Sequence, residues 1–271
     1  MQKDRYCAYF YGDILGYKEL LLRKSVSKLA EDMRSAISAV DQIVQPEQAK
    51  IEAGRSDPLT RQYFRWAANG LIGSYCAFDT IVIFFKDISY DTLNTRFEDF
   101  LELCSSLYLS FLIGSGLKLR GVISITKSYV IDEHLFLVDN ISRAFELEKA
   151  QEWSGIVVDF PDGMNLDWGY GPLADDHLIF YEVPTKTGRI EYPVLNPVNK
   201  GNIQFLRTRS WSLLKAIESL YMEMQTAKTN IEAAQKLKNT YDFMMYAKHY
   251  YEGGLKVERK LGSVGVEFNV P

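Results

Sequence analysis

Two short apolar runs separated by only two residues constrain the fold of this chain more than any other feature. The runs are Leu71–Ala77 and Thr80–Phe85, and the residues between them are Phe78 and Asp79. Apolar strands joined by so short a connection are typical of a β-hairpin. The sequence therefore predicts an acidic side chain at or beside the turn of a hairpin.

The remaining apolar patterns alternate between strand and helix. The order strand, helix, hairpin, helix, strand, followed by a further helix and strand, predicts an α+β fold with a ferredoxin-like βαββαβ sheet and helices on one face. The predicted elements besides the hairpin are a strand at Tyr6–Tyr11, helices at Leu15–Lys24 and Ser27–Val44, a helix at Leu93–Ile113, strands at Lys118–Ile125 and Leu135–Val138, a helix at Asn140–Gln151 and a strand at Gly155–Asp159.

The character of the chain changes after Asp159, and we predict two regions: a core at 1–160 and a C-terminal extension at 161–271. The extension is expected to pack on the core or at a dimer interface. Its predicted elements are a loop at Pro161–Asp176, strands at His177–Val183 and Ile190–Leu195, and helical residues from Ser210 to Tyr251 with a break near Thr226–Asn230. A further polar loop is predicted at Lys50–Arg61.

Composition narrows the classes of partner. The 271 residues are 47% apolar and carry a net charge of only -4, so no basic field favours nucleic acid. No apolar run reaches the roughly 18 residues that a membrane-crossing helix needs. Three widely spaced cysteines, Cys7, Cys76 and Cys104, fit a reducing compartment. We therefore expect a soluble, cytoplasmic protein that binds neither nucleic acid nor membrane.

Asp13 and Asp79 are the strongest candidate site residues. Asp13 directly follows the first apolar strand, and Asp79 lies between the two strands of the hairpin. An unpaired carboxylate is costly inside apolar surroundings, and Mg²⁺ and Mn²⁺ prefer oxygen ligands. The pair therefore favours a shared site for two divalent ions, although each aspartate alone could serve as a turn residue or a helix N-cap.

Four short motifs, in order over about residues 5–160, resemble class III nucleotidyl cyclases. The segment Asp13-Ile-Leu-Gly-Tyr is similar to the family's first metal element, and Phe78-Asp79-Thr80 to its second. Leu119–Ile123 resembles the strand after the central helix, and the helix ending in Leu147-Glu148 resembles the family's later helix. The resemblance implies metal ions held by Asp13, Asp79 and the Ile14 carbonyl, and a homodimer with shared active sites.

More narrowly, the chain resembles the stand-alone bacterial pyrimidine cyclases of anti-phage defence, which make cyclic UMP or cyclic CMP. Tyr75 stands where adenylate cyclases have an adenine-contacting lysine, and the resemblance implies that it binds the base, with Phe10 as a further substrate contact. UTP is favoured over CTP only by family frequency. A purine cyclase on the same fold, and a catalytically inactive module that binds a nucleotide as a sensor, remain alternatives.

One departure from the family concerns the cation that stabilises the transferring phosphate. Many class III enzymes carry an Asn and an Arg four residues apart on the later helix, and Ser142 and Glu146 occupy those positions here. We therefore expect Arg143 or Arg120 to supply the catalytic cation and Lys118 to contact the substrate, although each could be an ordinary salt-bridged residue.

Overall fold

The computed structural model describes residues 5–44, 71–132, 135–160, 177–199, 202, 212–227 and 230–252. The predicted loops at 50–61 and 161–176 lie outside these ranges. The described strands are β1 (Arg5–Ile14), β2 (Ile72–Ala77), β3 (Thr80–Ser89), β4 (Leu119–Thr126), β5 (Tyr129–Ile131), β6 (Phe136–Val138), β7 (Ile156–Asp159), β8 (Leu178–Thr185) and β9 (Gly188–Leu195). The described α-helices are α1 (Tyr17–Arg23), α2 (Val26–Val44), α3 (Leu93–Leu109), α4 (Ile141–Ala150), α5 (Leu213–Thr226) and α6 (Ile231–Tyr251).

Within the described residues, the main sheet has seven strands in the order β2-β3-β1-β4-β7-β9-β8. The first four follow the ferredoxin-like order, and each neighbouring pair among them is antiparallel. β7 adds to β4 in parallel, and β9 and β8 continue the sheet in antiparallel fashion. The predicted α+β fold with a ferredoxin-like sheet is therefore confirmed.

Two helices pack against the central strands of the sheet. Tyr9, Tyr11 and Asp13 alternate onto one face of β1, and α4 packs there against β1 and β4. Phe10 and Ile14, which point to the opposite side of β1, are buried, and α3 packs against β1 and β3.

The predicted hairpin is present. Ala77 and Thr80 pair across β2 and β3, so Phe78 and Asp79 alone form the connection. Phe78 has φ 58, in the left-handed region that a bulky residue rarely adopts, and its side chain is 85% exposed. The turn therefore holds a strained, solvent-facing aromatic residue directly before Asp79.

The C-terminal strands belong to the same sheet as the first 160 residues. Trp153, which precedes β7, is fully buried and packs edge-on against Phe243 of α6, with ring centroids 4.4 Å apart. Tyr181 of β8 stacks on the same indole at 5.2 Å. A boundary at residue 160 stays a prediction, but the hydrophobic core runs continuously across it.

Several element bounds differ from the predictions. The helix predicted over Leu93–Ile113 changes after Leu109 into a π-helical turn at Ser110–Ser115, which ends at Gly116 with φ 69. Strand β5 was not predicted. The predicted break near Thr226–Asn230 is confirmed, and the Asn230 side chain accepts a hydrogen bond from Ala233 N at the start of α6. Among the described helices, none has the length and hydropathy needed to cross a membrane.

Candidate active site

The strand register brings the backbones of Asp13 and Asp79 together. Asp13 of β1 lies opposite Thr80 of β3, the residue that follows Asp79. Ile14 N also donates a hydrogen bond to Asp79 O, with a separation of 3.1 Å. The backbones of Asp13 and Asp79 therefore lie at the same end of neighbouring strands, and their role as metal ligands stays a prediction.

Arg120 of β4 lies directly across from Asp13 and binds its carboxylate with two hydrogen bonds. Arg120 Nε lies 3.0 Å from Asp13 Oδ1, and Nη2 lies 2.7 Å from Oδ2. The side chains are only 11% and 23% exposed, respectively. Bidentate Arg–carboxylate pairs are among the stronger ion pairs in proteins, and partial burial limits screening by salt.

Glu148 of α4 adds a second carboxylate to this group. Its Oε1 atom lies 2.5 Å from Arg120 Nη2, and its side chain is only 4% exposed. Burial raises the pKa of Glu148 to about 7, against the lowering effect of Arg120, and the neighbouring Asp13 charge raises it further. One guanidinium thus serves two carboxylates in a largely buried cluster.

Tyr11 of β1 responds to three carboxylates of this region. Burial, followed by the charges of Glu148, Asp13 and Asp79, raises the pKa of the Tyr11 phenol. Tyr11 therefore lies in a region of negative charge.

Gln151 connects this cluster to the hydrophobic core. Its backbone carbonyl accepts a hydrogen bond from Arg120 Nη1 at 2.8 Å. Its side chain donates to Gly121 O at 3.1 Å and accepts from Trp153 Nε1 at 2.9 Å. Since Trp153 packs between β8 and α6, the extension helps to hold the position of Arg120.

The donor set suits a hard divalent cation, because Asp13, Asp79 and the Ile14 carbonyl supply only oxygen atoms. Across the part of the chain that the structure describes, no three His, Cys, Asp or Glu side chains are arranged as a metal site. Both carboxylate oxygens of Asp13 are engaged by Arg120. The residues fit a metal ion provided that Arg120 releases Asp13.

Tyr75 has an intramolecular partner. Its hydroxyl donates a hydrogen bond to the backbone carbonyl of Asp132, and its ring stacks on Phe84 with centroids 5.6 Å apart. Phe136 of β6 packs against both rings. The predicted contact with a base stays a prediction, and Tyr75 would have to release the Asp132 carbonyl before it could donate a hydrogen bond to the base.

The other predicted site residues have partners outside the Asp13 cluster or are buried. Lys118 forms an ion pair of 2.5 Å with Glu223 of α5, at a cavity of about 450 Å³ that α1, α5 and α6 also line. Arg143 Nη2 lies 2.8 Å from Asp159 Oδ1. The Phe10 ring is fully buried against Gly12 and Gly121, a position from which it cannot touch a ligand without rearrangement.

Sequence reasoning missed the roles of Glu148, Tyr11 and Gln151. A signal for Glu148 was present, because Ala144, Leu147 and Glu148 fall on one face of α4 at helical spacing. An acid on the apolar face of a helix needs a buried partner. Nothing in the local sequence identified Gln151, since its main contribution to Arg120 is a backbone carbonyl.

Comparison with known proteins identifies no family. No family model matches the chain, and no curated protein matches it. Among solved structures, the chain is similar to the adenylyl cyclase CyaB from P. aeruginosa, with 14% sequence identity, a TM-score of 0.43, and coverage of 72% of this chain and 96% of that chain. A likeness at this level assigns no activity to the present chain.

Proposed function

We propose that this chain is a metal-dependent nucleotidyl cyclase, which converts a nucleoside triphosphate into a 3′,5′-cyclic monophosphate and pyrophosphate. The observation that carries the proposal is the meeting of Asp13 and Asp79 at one end of adjacent strands, beside the buried guanidinium of Arg120. Carboxylates that hold hard cations and an arginine that binds phosphate are the components of phosphoryl transfer.

In the proposed reaction, the ribose 3′ oxygen attacks the α-phosphorus and pyrophosphate leaves. Asp13, Asp79 and the Ile14 carbonyl would hold two Mn²⁺ or Mg²⁺ ions. Bound ions of this kind acidify the attacking hydroxyl and neutralise the triphosphate. Arg120 or Arg143 would bind the oxygens of the transferring phosphate, and the strands would position all these groups before substrate arrives.

A pyrimidine substrate, with UTP favoured, is the finer part of the proposal and rests on resemblance. Tyr75 replaces a lysine that would contact adenine, so a single hydroxyl is available to a smaller base. The same resemblance suggests a signal in anti-phage immunity. Cytoplasmic location and a homodimer, in which Tyr75 and Arg143 of one subunit complete the site around Asp13 of the other, belong to this proposal.

Incubation of the purified chain with Mn²⁺ and each of the four nucleoside triphosphates tests the proposal, with products identified by mass. We expect cyclic UMP from UTP and no product from the Asp13→Asn and Asp79→Asn variants. Asp242→Asn, which changes a partly exposed carboxylate of α6, serves as the matched control and should keep full activity. Cyclic AMP as the sole product would contradict the pyrimidine assignment but support a purine cyclase.

A second candidate is a cyclase-like module that binds a nucleotide without turning it over. Arg120 engages both oxygens of Asp13, and Ser142 and Glu146 occupy the positions of the usual catalytic pair. Equilibrium binding of a nucleotide with no product after prolonged incubation would favour this candidate. No activity and no binding would reject both.

A further inference from the structure

Arg120 engages both oxygens of the Asp13 carboxylate, the group that would hold a metal ion. Nε and Nη2 of the guanidinium each take one oxygen of Asp13, at 3.0 and 2.7 Å. A cation held by the same carboxylate would lie next to the positive guanidinium, and the two positive charges repel. Arg120 and a metal ion therefore compete for Asp13.

Arg120 can leave Asp13 without losing all of its partners. The Nη1 atom is held by the Gln151 carbonyl at 2.8 Å, and Nη2 also lies 2.5 Å from Glu148 Oε1. Gln151 is itself fixed by Gly121 and Trp153. The contacts with Gln151 and Glu148 keep the guanidinium at the site when Asp13 is released. The Nε and Nη2 hydrogens that bound Asp13 then become available to another anion.

A phosphate group matches the released edge of the guanidinium. Arginine binds phosphate and carboxylate oxygens with the same two-pronged geometry, because its N–H groups form a planar fork. The triphosphate of a nucleotide could therefore replace Asp13 as the partner of Arg120. The exchange would free both oxygens of Asp13 at the moment when a phosphate arrives.

We propose that Arg120 is an exchangeable internal cation, which blocks Asp13 against metal ions until phosphate groups take over its guanidinium. The proposal rests on the proposed function, because it assumes that Asp13 holds a metal ion. Its consequence is positive coupling: metal ions alone bind weakly, and metal and polyphosphate bind together. By linkage each ligand must raise the affinity of the other by the same factor.

Equilibrium dialysis of Mn²⁺ against the full chain tests this coupling without any assay of turnover. The probes are Mn²⁺ alone and Mn²⁺ with inorganic tripolyphosphate, which removes any dependence on the base. For the wild type we expect tripolyphosphate to tighten Mn²⁺ binding by about 5- to 150-fold, the usual range of coupling between sites. For Arg120→Gln we expect tight binding of Mn²⁺ alone and little further effect of tripolyphosphate.

Two further variants keep the test decisive. Arg120→Lys retains the positive charge but loses the fork, so its affinity for Mn²⁺ alone should lie between those of the wild type and Arg120→Gln. If Arg120→Gln fails to fold, Arg120→Lys replaces it as the variant that tests the exchange. Lys238→Gln removes a cation from an exposed ion pair of α6 and should behave as the wild type.

The outcomes separate this proposal from the proposed function. If Asp13→Asn weakens Mn²⁺ binding but neither Arg120 variant strengthens it, the metal site stands and the exchange is overturned. If Asp13→Asn leaves Mn²⁺ binding unchanged with tripolyphosphate present, Asp13 holds no metal, and both the metal assignment and the exchange are overturned. Tight binding of Mn²⁺ alone by the wild type likewise overturns the exchange.

Discussion

Arg120 and Asp13 face each other across β4 and β1, and the guanidinium binds both carboxylate oxygens at 3.0 and 2.7 Å. Glu148 of α4 contacts the same guanidinium from the neighbouring helix. Because the cluster is largely buried, each member depends on the others for its charge balance. This relationship governs both the stability of the sheet end and its proposed chemistry.

Replacement of Arg120 alone should destabilise the protein more than joint replacement of Arg120 and Glu148. Arg120→Met leaves Glu148 buried without its cation, and we expect the free energy of unfolding to fall by about 3 kcal/mol at pH 8. In the double variant Arg120→Met/Glu148→Gln, the loss should be smaller than in the single variant. Urea unfolding measures the free energy of unfolding of the double variant and of the single variants Arg120→Met and Glu148→Gln. If the loss in the double variant equals the sum of the losses in the two single variants, Arg120 and Glu148 are not coupled.

Tyr75→Phe separates the structural from the substrate-binding role of Tyr75. The variant loses the hydrogen bond to the Asp132 carbonyl, so we expect a stability loss of about 1 kcal/mol. If the Tyr75 hydroxyl also binds a pyrimidine base, the ratio of kcat/KM for UTP to kcat/KM for ATP should fall by about tenfold in the variant. Competition assays measure the ratio, and an unchanged ratio would show that the hydroxyl serves the fold alone.

Phe78→Asn should stabilise the hairpin. Phe78 has φ 58 and is almost fully exposed, so its left-handed backbone is strained and little packing compensates. Asn tolerates this conformation, and we expect a gain of about 1 kcal/mol in the free energy of unfolding. Phe78→Leu, which keeps the bulk and the strain, is the matched control. Equal stability of the two variants in thermal unfolding would contradict the strain argument.

Asp99 of α3 should make stability depend on pH. Burial raises its pKa from 3.8 to about 7, with Arg96 opposing and Glu102 and Glu98 adding to the shift. The folded state therefore binds a proton that the unfolded state has lost, and stability falls as the pH rises from about 4 to about 7. Asp99→Asn cannot ionise, so its Tm should exceed that of the wild type by an amount that grows as the pH rises from about 4 to about 7. Above about pH 7 the difference in Tm should stay constant. A Tm difference independent of pH would show that Asp99 ionises normally.

Local patterns predicted most of the elements near the site. The two-residue spacing between the apolar runs predicted the hairpin with Asp79 at its turn, and the structure confirms it. The order of elements predicted the ferredoxin-like sheet, because consecutive strands with these connections have few ways to pair.

The sequence by itself determined that Asp13 and Asp79 end or join apolar strands, because chain neighbours alone set that property. Only the tertiary structure decided that Arg120 lies opposite Asp13, that Glu148 meets the same guanidinium, and that the Gln151 carbonyl holds it. Residues 13, 120 and 148 are far apart along the chain, and their side chains meet only through the strand register and the packing of α4. Ion pairs of this kind depend on distance and burial, neither of which a one-dimensional pattern contains.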